Sequence, residues 1–378
     1  MIFVHDHTFI NYKGNLYTLG TLNNNLFSRY LQVFDTVTVV ANYIQKEELS
    51  DNGKLVNNVT FHVNCKPNNP FNLYKNIRNS AKFIEKESEQ PVIIRIPSFL
   101  GSFIGLFLIR KKRPFFVEVV GDPYEILKNR NLIGKILAAF MMLVSKFVIS
   151  RAQHVLYVTK QYLSNKYPTR GKSVCCSDVL LSNYEYCDKS FYRDLIIGTA
   201  GSIDLRYKGQ ADVIKAISRL KRRGINCKYI LAGAGDKKRL QLIARKYGVE
   251  ENVEFWGYLD SEGMKRFYSA ITYYIQPSYT EGLPRTVVEA MAAGCLAMGS
   301  NVGGIPELIN PKVLFNPGNV AEITDILSKM NSNLFIELLS EEKKVIDIFL
   351  RENNDQIWVD FYQDFKDSYA RKKNKDAN

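Results

Sequence analysis

Short apolar runs alternate with longer stretches of mixed apolar and polar residues along most of the chain. In the first half the apolar runs are rich in β-branched and aromatic residues, which is typical of strands buried in a parallel sheet. We expect these strands at the segments MIFVH, TVTVVA, PVIIRI, FFVEVV and HVLYVT. The amphipathic stretches between them, including 22–34 and 71–86, predict helices.

The same rhythm begins again after residue 194. Strands are predicted at LIIGTAG, CKYILAG, VEFWG, ITYYIQPS and CLAMG, and helices at 209–223, 236–247 and 260–269. Alternating strands and helices produce a parallel sheet with helices on both faces, and two such series indicate two doubly wound, Rossmann-like domains. Ligands of this fold bind beyond the carboxyl ends of the strands, so we expect the site in a central cleft between the domains.

The predicted domains are 1–188 and 189–353, followed by a final segment, 354–378. The boundary falls in the polar, aromatic segment SNYEYCDKSFYRDL, residues 182–195, which has little periodicity. A helix is predicted at about 356–371, ahead of a charged tail. The 378 residues are enough for two hydrophobic cores.

Charge is distributed unevenly between the two halves. The net charge is +13, of which residues 1–200 carry 25 Lys+Arg against 15 Asp+Glu, or +10. Such a surface favours an anionic partner, namely membrane lipid, nucleic acid or a phosphorylated substrate, although a solvated basic surface without a partner has the same composition.

The apolar segment 132–150 is almost long enough to cross a bilayer, since about 20 apolar residues are needed. Lys135 and Lys146 interrupt it, however, and Arg151 follows directly. We therefore expect a buried helix, or a helix lying on an anionic membrane face, rather than a membrane span.

The cysteines and histidines give little sign of a metal or disulfide framework. The six cysteines form no C-x-x-C pair, and the opening MIFVHDHTF is not a secretion signal, which favours a cytoplasmic protein with reduced thiols. His5 and His7 alternate along a predicted strand, but the chain has only four histidines, so a zinc site is not expected.

The segment PSYTEGLPRTVVEAMAAG, residues 277–294, carries the most specific chemistry. Pro284 suits the first position of a helix, whose unpaired N–H groups near Gly282, Leu283 and Arg285 attract anions. Carboxylates beside an anion site repel the anion unless they bind hydroxyl groups, and sugars supply hydroxyls. Glu281 and Glu289 could therefore hold the two sugars of a nucleotide sugar, with its diphosphate between them.

Two other strand–loop–helix turns fit the same ligand. After the first strand of the second half come Gly201, Ser202 and Arg206, and Lys208 with Gly209 opens a helix. The next turn contains Gly233 and Gly235, with Asp236 predicted as the helix N-cap. Glycines let a backbone approach a ligand closely, and a lysine offsets phosphate charge, although an ordinary tight turn has the same composition.

Together these motifs resemble retaining GT-B glycosyltransferases, in particular glycosyltransferase family 4. The resemblance covers nearly all of 195–309 and rests on YKGQADVIKAI, ILAGAGD, VEFWGYL, EGLPRTVVE with its Glu-x7-Glu spacing, and VGGIPELI. It implies that Glu281 contacts the donor sugar and Glu289 the ribose, and that Lys208 and the amides of Gly282 and Leu283 hold the diphosphate. Tyr258 joins the expected donor-binding residues.

The resemblance also implies features outside the donor site. Many members have arginine where this chain has Ser202, so Arg206 or Arg285 is expected to supply that charge. In the first domain, Gly20 and Thr21 stand where members often have paired glycines. Asp122, after VEVV, is either a catalytic ligand of a sugar hydroxyl or a turn residue, and Arg95 is a candidate for an acceptor phosphate. The fold implies no catalytic metal or other cofactor and a C-terminal helix that returns to the first domain.

The expected function is retaining transfer of a sugar from a nucleoside diphosphate sugar to an acceptor hydroxyl. The basic first half, including FLIRKKRPFF, favours a lipid-linked saccharide acceptor at the anionic inner membrane surface, as in capsule, O-antigen or lipopolysaccharide assembly, and no nucleic-acid partner. The alternatives are a transferase with a soluble acceptor, and a non-catalytic basic protein that binds membrane or nucleic acid on a degenerate fold.

Overall fold

The computed structural model describes residues 1–49, 52–128, 132–177, 179, 186–192, 194–351 and 354–377. Their contacts divide the chain into two compact units, Met1–Ser177 together with Asn354–Asn378, and Asp178–Asn353. Of the predicted linker, residues 182–185 and 193 lie outside the described residues, as does Arg130 beside the apolar segment.

The first unit contains the predicted strand–helix alternation together with several short additional strands. Its strands are β1 (Ile2–Tyr12), β2 (Asn15–Thr18), β3 (Thr38–Gln45), β4 (Lys54–Leu55), β5 (Thr60–Cys65), β6 (Val92–Ile96), β7 (Phe115–Val119), β8 (His154–Tyr157) and β9 (Lys172–Cys175). Its helices before the C-terminal segment are α1 (Asn24–Leu31), α2 (Pro70–Lys86), α3 (Phe99–Arg110), α4 (Pro123–Lys128), α5 (Leu132–Arg151) and α6 (Tyr162–Lys166).

The first sheet is mixed rather than purely parallel. Strand β1 pairs in parallel with β3 and β6, and β6, β7, β8 and β9 continue the sheet in parallel. The end of β1 pairs antiparallel with β2 through a two-residue turn, Lys13–Gly14, in which both residues have positive φ. That conformation matches the twist of a tight hairpin, so the Lys-Gly pair explains this departure from the predicted parallel sheet.

The second unit holds a sheet whose described strands all run parallel, in the order β12-β11-β10-β13-β14-β15. The strands are β10 (Leu195–Ala200), β11 (Cys227–Ala232), β12 (Val253–Gly257), β13 (Tyr273–Gln276), β14 (Leu296–Ser300) and β15 (Leu314–Phe315). The helices are α7 (Gln210–Arg222), α8 (Lys238–Lys246), α9 (Ser261–Ala270), α10 (Arg285–Ala292), α11 (Val320–Lys329) and α12 (Ser332–Arg351).

Helix α13 (Asn354–Ala377) packs in the first unit, as predicted for the C-terminal helix. The Tyr362 hydroxyl donates to the buried Glu118 carboxylate at the centre of β7, where the Tyr30 hydroxyl also donates at 2.5 Å. Near the middle of the helix, Asp364 Oδ2 lies 2.8 Å from His154 Nε2. Buried hydrogen bonds of this kind fix the helix in one register on the sheet.

In the part of the chain that the structure describes, no helix combines the length and the apolarity needed to cross a bilayer. The apolar segment predicted as a buried or surface-lying helix is helical throughout, as α5.

Candidate functional site

The loops after β10 and β11 meet at the carboxyl edge of the second sheet. A Cβ on Gly233 would lie 1.9 Å from the carbonyl oxygen of Gly201, and one on Gly235 would lie 2.5 Å from the Asp204 carboxylate. All three glycines have φ between +127° and +155°, a region that side chains rarely adopt. The glycines thus permit two backbone segments to touch, which any residue with a side chain would prevent.

Lys208 is placed by a second close approach. Gly209, the next residue, has a φ of 72°, and a Cβ on it would lie 1.9 Å from the carbonyl oxygen of Pro277. The loop before α7 is therefore pressed against the segment that follows β13. As a result, Lys208 Nζ lies 2.7 Å from Glu281 Oε1, and both side chains are half-buried.

The Glu281 carboxylate is held through one of its two oxygens. Oε1 accepts hydrogen bonds from Lys208 Nζ at 2.7 Å, Gln276 Nε2 at 2.8 Å and Ser278 Oγ at 2.7 Å. The structure shows no hydrogen bond from the described residues to Oε2. One oxygen thus fixes the position of the carboxylate, and the other remains able to accept a hydrogen bond from a ligand.

A buried polar network supports this arrangement. Gln276 and Ser278 are almost fully buried, and Gln276 Nε2 also donates to Ser278 Oγ at 2.9 Å. Gln276 Oε1 in turn accepts from the Tyr274 hydroxyl at 2.8 Å and from Thr286 Oγ1 at 3.3 Å. Because each polar group has a partner, the network holds Glu281 in a single orientation.

Helix α10 begins beside Glu281. Pro284 is the N-cap and Arg285 the first helical residue, one position later than predicted. Among the described residues, no acceptor is recorded for the backbone N–H groups of Gly282, Leu283, Arg285 and Thr286. These groups and the dipole of the helix give this corner a positive potential that suits an anion.

The loop after β14 closes over the same corner. Gly304 N donates to the carbonyl oxygen of Gly282 at 2.8 Å. Gly303 has a φ of +59°, and a Cβ on it would lie 2.1 Å from the carbonyl oxygen of Glu281. The paired glycines of the VGGIPELI segment therefore shape the turn that carries Glu281.

Glu289 lies within α10, about one turn beyond its first residue. It is half-buried, and its Oε2 accepts a hydrogen bond from the Tyr268 hydroxyl at 3.0 Å. Tyr258, in the loop after β12, is exposed. The predicted roles of Glu289 in ribose binding and of Tyr258 in donor binding stay predictions.

Polar and positively charged side chains contact the backbone at and next to Ser202. The carbonyl oxygen of Ser202 accepts from Gln210 Nε2 at 3.1 Å, and the neighbouring Ile203 carbonyl accepts from Arg239 at 3.2 Å. Burial, and then the charge of nearby Arg206, lowers the pKa of Arg239. Arg206 lies in the same loop after β10 and is exposed. Arg285 is half-buried at the start of α10.

In the first unit, Asp122 is buried in the segment between β7 and α4. It accepts hydrogen bonds from Tyr124 N at 2.9 Å, Tyr162 OH at 2.6 Å, Tyr167 OH and Lys166 Nζ. Burial by itself would raise the pKa of Asp122, but the hydrogen bonds from Lys166 and the tyrosines outweigh it and lower the pKa. The carboxylate is thus held as an anion in a local network; its catalytic role stays a prediction.

Arg95 and Gly20 also belong to the first unit. Arg95 is buried at the end of β6 and forms an ion pair with Glu118 at 2.7 Å. Gly20 N donates to Thr18 Oγ1 at 3.0 Å, and the same hydroxyl lies 2.8 Å from His7 Nε2. The roles predicted for Arg95 with an acceptor phosphate, and for Gly20 and the exposed Thr21 with the donor, stay predictions.

Several functional candidates are not evident from the sequence. Gln276 ends the apolar strand β13 and Ser278 follows two residues later, so both resemble the end of a buried strand in the sequence. Arg239 resembles the other cations of a surface helix. The only local signal is polar residues at the carboxyl end of a buried strand, where ligand sites of this fold occur. Within the described residues, no group of three or more histidine, cysteine, aspartate and glutamate side chains is placed to hold a metal ion.

Comparison with known proteins identifies this arrangement. Residues 191–343 match the family model described as "Glycosyl transferases group 1". Protein CapJ of Staphylococcus aureus is 34% identical over 367 residues, covering 93% of this chain and 92% of CapJ. The serotype-specific mannosyltransferase WbdA of Escherichia coli is 30% identical over 94 residues, 24% of this chain and 12% of WbdA.

Solved structures agree in fold. The crystal structure of Anabaena HepE in complex with UDP superposes with a TM-score of 0.67 at 14% identity, covering 97% of this chain and 99% of HepE. Two Rossmann-like units with a C-terminal helix packed on the first define the class of protein as a GT-B glycosyltransferase. From its similarity to CapJ over nearly its whole length and the matching family model, the chain belongs to the group 1 glycosyl transferases.

Proposed function

We propose that this glycosyltransferase moves a sugar from a nucleoside diphosphate sugar to an acceptor hydroxyl with retention of the anomeric configuration. The observation that carries the proposal is the Glu281 carboxylate, which has one oxygen anchored by three donors and the other without a hydrogen bond from any residue that the structure describes. A rigid, charged acceptor of this kind suits a donor-sugar hydroxyl. The carboxylate lies beside Lys208 and the start of α10, whose positive charge and helix dipole attract a diphosphate.

The proposed donor site contacts the sugar, the diphosphate and the ribose of the nucleotide sugar. Glu281 Oε2 accepts from a hydroxyl of the transferred sugar, and Glu289 accepts from the ribose. Lys208 and the N–H groups of Gly282 and Leu283 hold the diphosphate. The HepE structure supports a nucleotide ligand, since it is a complex with UDP on the same fold.

Arg206 and Arg239 complete the grip on the diphosphate. Arg239 donates to the Ile203 carbonyl oxygen at 3.2 Å, and Arg206 is exposed in the same loop after β10. A diphosphate held beside this loop lies near both positive charges, which attract it. This pair takes the place of the arginine that many relatives have at the position of Ser202.

In the proposed reaction, the bond between the anomeric carbon and the diphosphate oxygen breaks while the acceptor oxygen bonds to the same face of that carbon. The acceptor proton passes to the departing diphosphate. Negative charge grows on the leaving group, and Lys208 with the α10 N–H groups stabilises it because they are already oriented. These groups supply the positive charge at the leaving diphosphate, so the proposal requires no metal or other cofactor.

We further propose a lipid-linked saccharide as the acceptor, in surface polysaccharide assembly such as capsule or O-antigen, on the cytoplasmic side of the plasma membrane. The net charge of +10 over residues 1–200 supports an anionic membrane partner rather than nucleic acid, for which no recognition motif is seen. The name of WbdA, a serotype-specific mannosyltransferase, supports a surface saccharide.

The donor assignment is tested by a thermal-shift panel of UDP, GDP, ADP and CMP sugars. We expect one nucleoside diphosphate series to raise Tm in a concentration-dependent way, since a ligand that binds only the folded state stabilises it. The anomeric configuration of the product, measured by NMR, then tests retention. An inverted product would refute the stereochemical part, and the absence of any stabilisation would refute the donor site.

Arg239→Gln tests the proposed contribution of Arg239 to diphosphate binding. We expect it to weaken binding of the stabilising nucleoside diphosphate about tenfold, because a charge-assisted hydrogen bond contributes about 1.5–3 kcal/mol. Arg245→Gln, an exposed arginine at the other end of α8, is the matched control and should bind as the wild type does. Equal affinities for all three proteins would refute the assignment of Arg239.

A further inference from the structure

Helix α5 presents an apolar stripe to solvent. Ile136, Phe140, Leu143 and Phe147 are 68%, 47%, 62% and 44% exposed. At about 100° per residue, their positions fall within an arc of roughly 60° on the helix. Four large apolar side chains aligned in this way form a continuous surface of about 16 Å, at 1.5 Å per residue.

The opposite face of α5 is already used for packing. Ala138, Met141, Ser145 and Val148 are buried there. Gly105 of α3 lies so close that a Cβ on it would be 2.4 Å from Val148 Cγ1. The core of the unit therefore accounts for the buried face and leaves the stripe unexplained, because a helix in a soluble unit ordinarily exposes polar residues.

Positive charge borders the stripe. Lys135 and Arg151 are exposed, Lys146 is half-buried, and α5 contains no acidic residue. Among the described residues, no carboxylate forms an ion pair with these three cations. The Arg151 guanidinium lies 5.1 Å from the centre of the Phe147 ring, so that charge and the apolar stripe meet at one end.

Helix α3 extends the same surface. Ser102 Oγ lies 3.4 Å from Ser145 Oγ and Gly105 lies against Val148, so α3 and α5 run in the same direction. The exposed Arg110 at the end of α3 therefore lies at the same end as Arg151. Like α5, α3 has no acidic residue.

We infer that the exposed face of α5 is a docking surface for an anionic lipid bilayer. The stripe enters the boundary between headgroups and acyl chains, and Lys135, Lys146 and Arg151 contact the lipid phosphates. The helix lies along the interface and does not cross it. This inference deepens the proposed function and rests on it, since a lipid-linked acceptor requires the enzyme at the membrane surface.

The positive charge beside the stripe favours an anionic bilayer over a second copy of the chain as the partner of α5. In a two-fold symmetric dimer the same patch would meet itself, which places the cations of one copy near those of the other with no acidic residue on α5 to offset them. An anionic bilayer buries the apolar stripe in its interface and pairs the three cations with lipid phosphates.

The test is flotation of the whole chain with two kinds of vesicle. One kind is pure phosphatidylcholine, and the other also contains roughly 30% phosphatidylglycerol, which gives a strongly negative surface. We expect binding to the anionic vesicles that salt weakens. The double variant Phe140→Ser/Leu143→Ser should reduce the partition coefficient at least about tenfold, since each buried side chain contributes to binding. Lys135→Gln/Lys146→Gln should reduce it by a similar factor on anionic vesicles only.

The matched control is Leu242→Ser/Ile336→Ser, which removes two comparably exposed apolar side chains, 65% and 64%, from the second unit. It should float as the wild type does. Absence of wild-type flotation, or flotation unchanged by the α5 substitutions, would overturn the inference. So would sedimentation showing a dimer that these substitutions dissociate, in place of vesicle binding.

Nucleotide binding separates this inference from the proposed function. All α5 variants should keep the thermal stabilisation by the nucleoside diphosphate sugar that the wild type shows, because the substitutions lie in the other unit. If flotation fails and that stabilisation persists, only the docking surface is wrong. If flotation follows the expected pattern without any nucleotide stabilisation, the donor site is wrong and the docking surface stands.

Discussion

Glu281→Gln is the substitution that most directly examines the donor site. The amide retains the size and planar shape of the side chain and removes its charge. With the amide oxygen still facing Lys208, Gln276 and Ser278, the amide nitrogen replaces Oε2, so that an acceptor for a sugar hydroxyl becomes a donor. The ion pair between Lys208 and Glu281, at 2.7 Å, is lost as well.

The size of the effect follows from these contacts. A hydrogen bond to a charged group contributes about 1.5–3 kcal/mol, which corresponds to roughly a 10- to 100-fold decrease in kcat/KM for the nucleotide sugar. Affinity for the nucleoside diphosphate without its sugar should be unchanged or higher, because Lys208 no longer shares its charge with a carboxylate. This opposite response distinguishes a sugar ligand from a general loss of structure.

The assay compares transfer rates with nucleoside diphosphate affinity measured by calorimetry. Glu262→Gln is the matched control, since Glu262 forms a pair with Lys265 at the same 2.7 Å on the exposed side of α9. We expect it to behave as the wild type does in both assays. Transfer within threefold of wild type in Glu281→Gln, or an equal loss of affinity for the nucleotide with and without sugar, would refute the assigned contact.

Three further substitutions concern stability and are measured by chemical denaturation. Gly303→Ala should lower the free energy of unfolding by about 1–3 kcal/mol, because φ is +59° and the new Cβ would meet a carbonyl oxygen at 2.1 Å. Burial lowers the pKa of His7 from 6.5 to about 4, so between these pH values the folded state binds fewer protons than the unfolded state. The free energy of unfolding should therefore fall by about 1–2 kcal/mol from pH 7 to 5. His7→Gln should flatten this pH dependence. Tyr362→Phe should cost about 1–2 kcal/mol, since it removes a buried hydroxyl that donates to Glu118.

Each of these has a comparison that isolates its cause. Gly248→Ala also places alanine at positive φ, +67°, but nothing lies within 4 Å of the new Cβ, so a loss as large as that of Gly303→Ala would refute the steric part. Tyr258→Phe removes an exposed hydroxyl and should be neutral. A pH dependence that persists unchanged in His7→Gln would contradict the assignment to that imidazole.

The regular part of the fold follows from local pattern. The parallel strands β10, β11 and β13 are short apolar runs bounded by glycine or polar residues, and each begins and ends within two residues of its predicted position. The hydrophobic pattern does not predict the antiparallel hairpin of β1 and β2, because strand direction depends on the pairing partner as well as on periodicity. The C-terminal helix was predicted at 356–371 and extends further, from Asn354 to Ala377.

The sequence by itself determined the alternation of strands and helices, the Glu-x7-Glu spacing and the glycines that a ligand loop requires. These depend on neighbours within a few positions, where period, propensity and φ act directly. Only the tertiary structure decided that Lys208, Gln276 and Ser278 share one oxygen of Glu281, and that Arg239 donates to the backbone of the loop after β10. Residues so far apart in sequence meet because parallel strands bring their carboxyl ends to a common edge, and which side chains converge there is set by sheet order and packing.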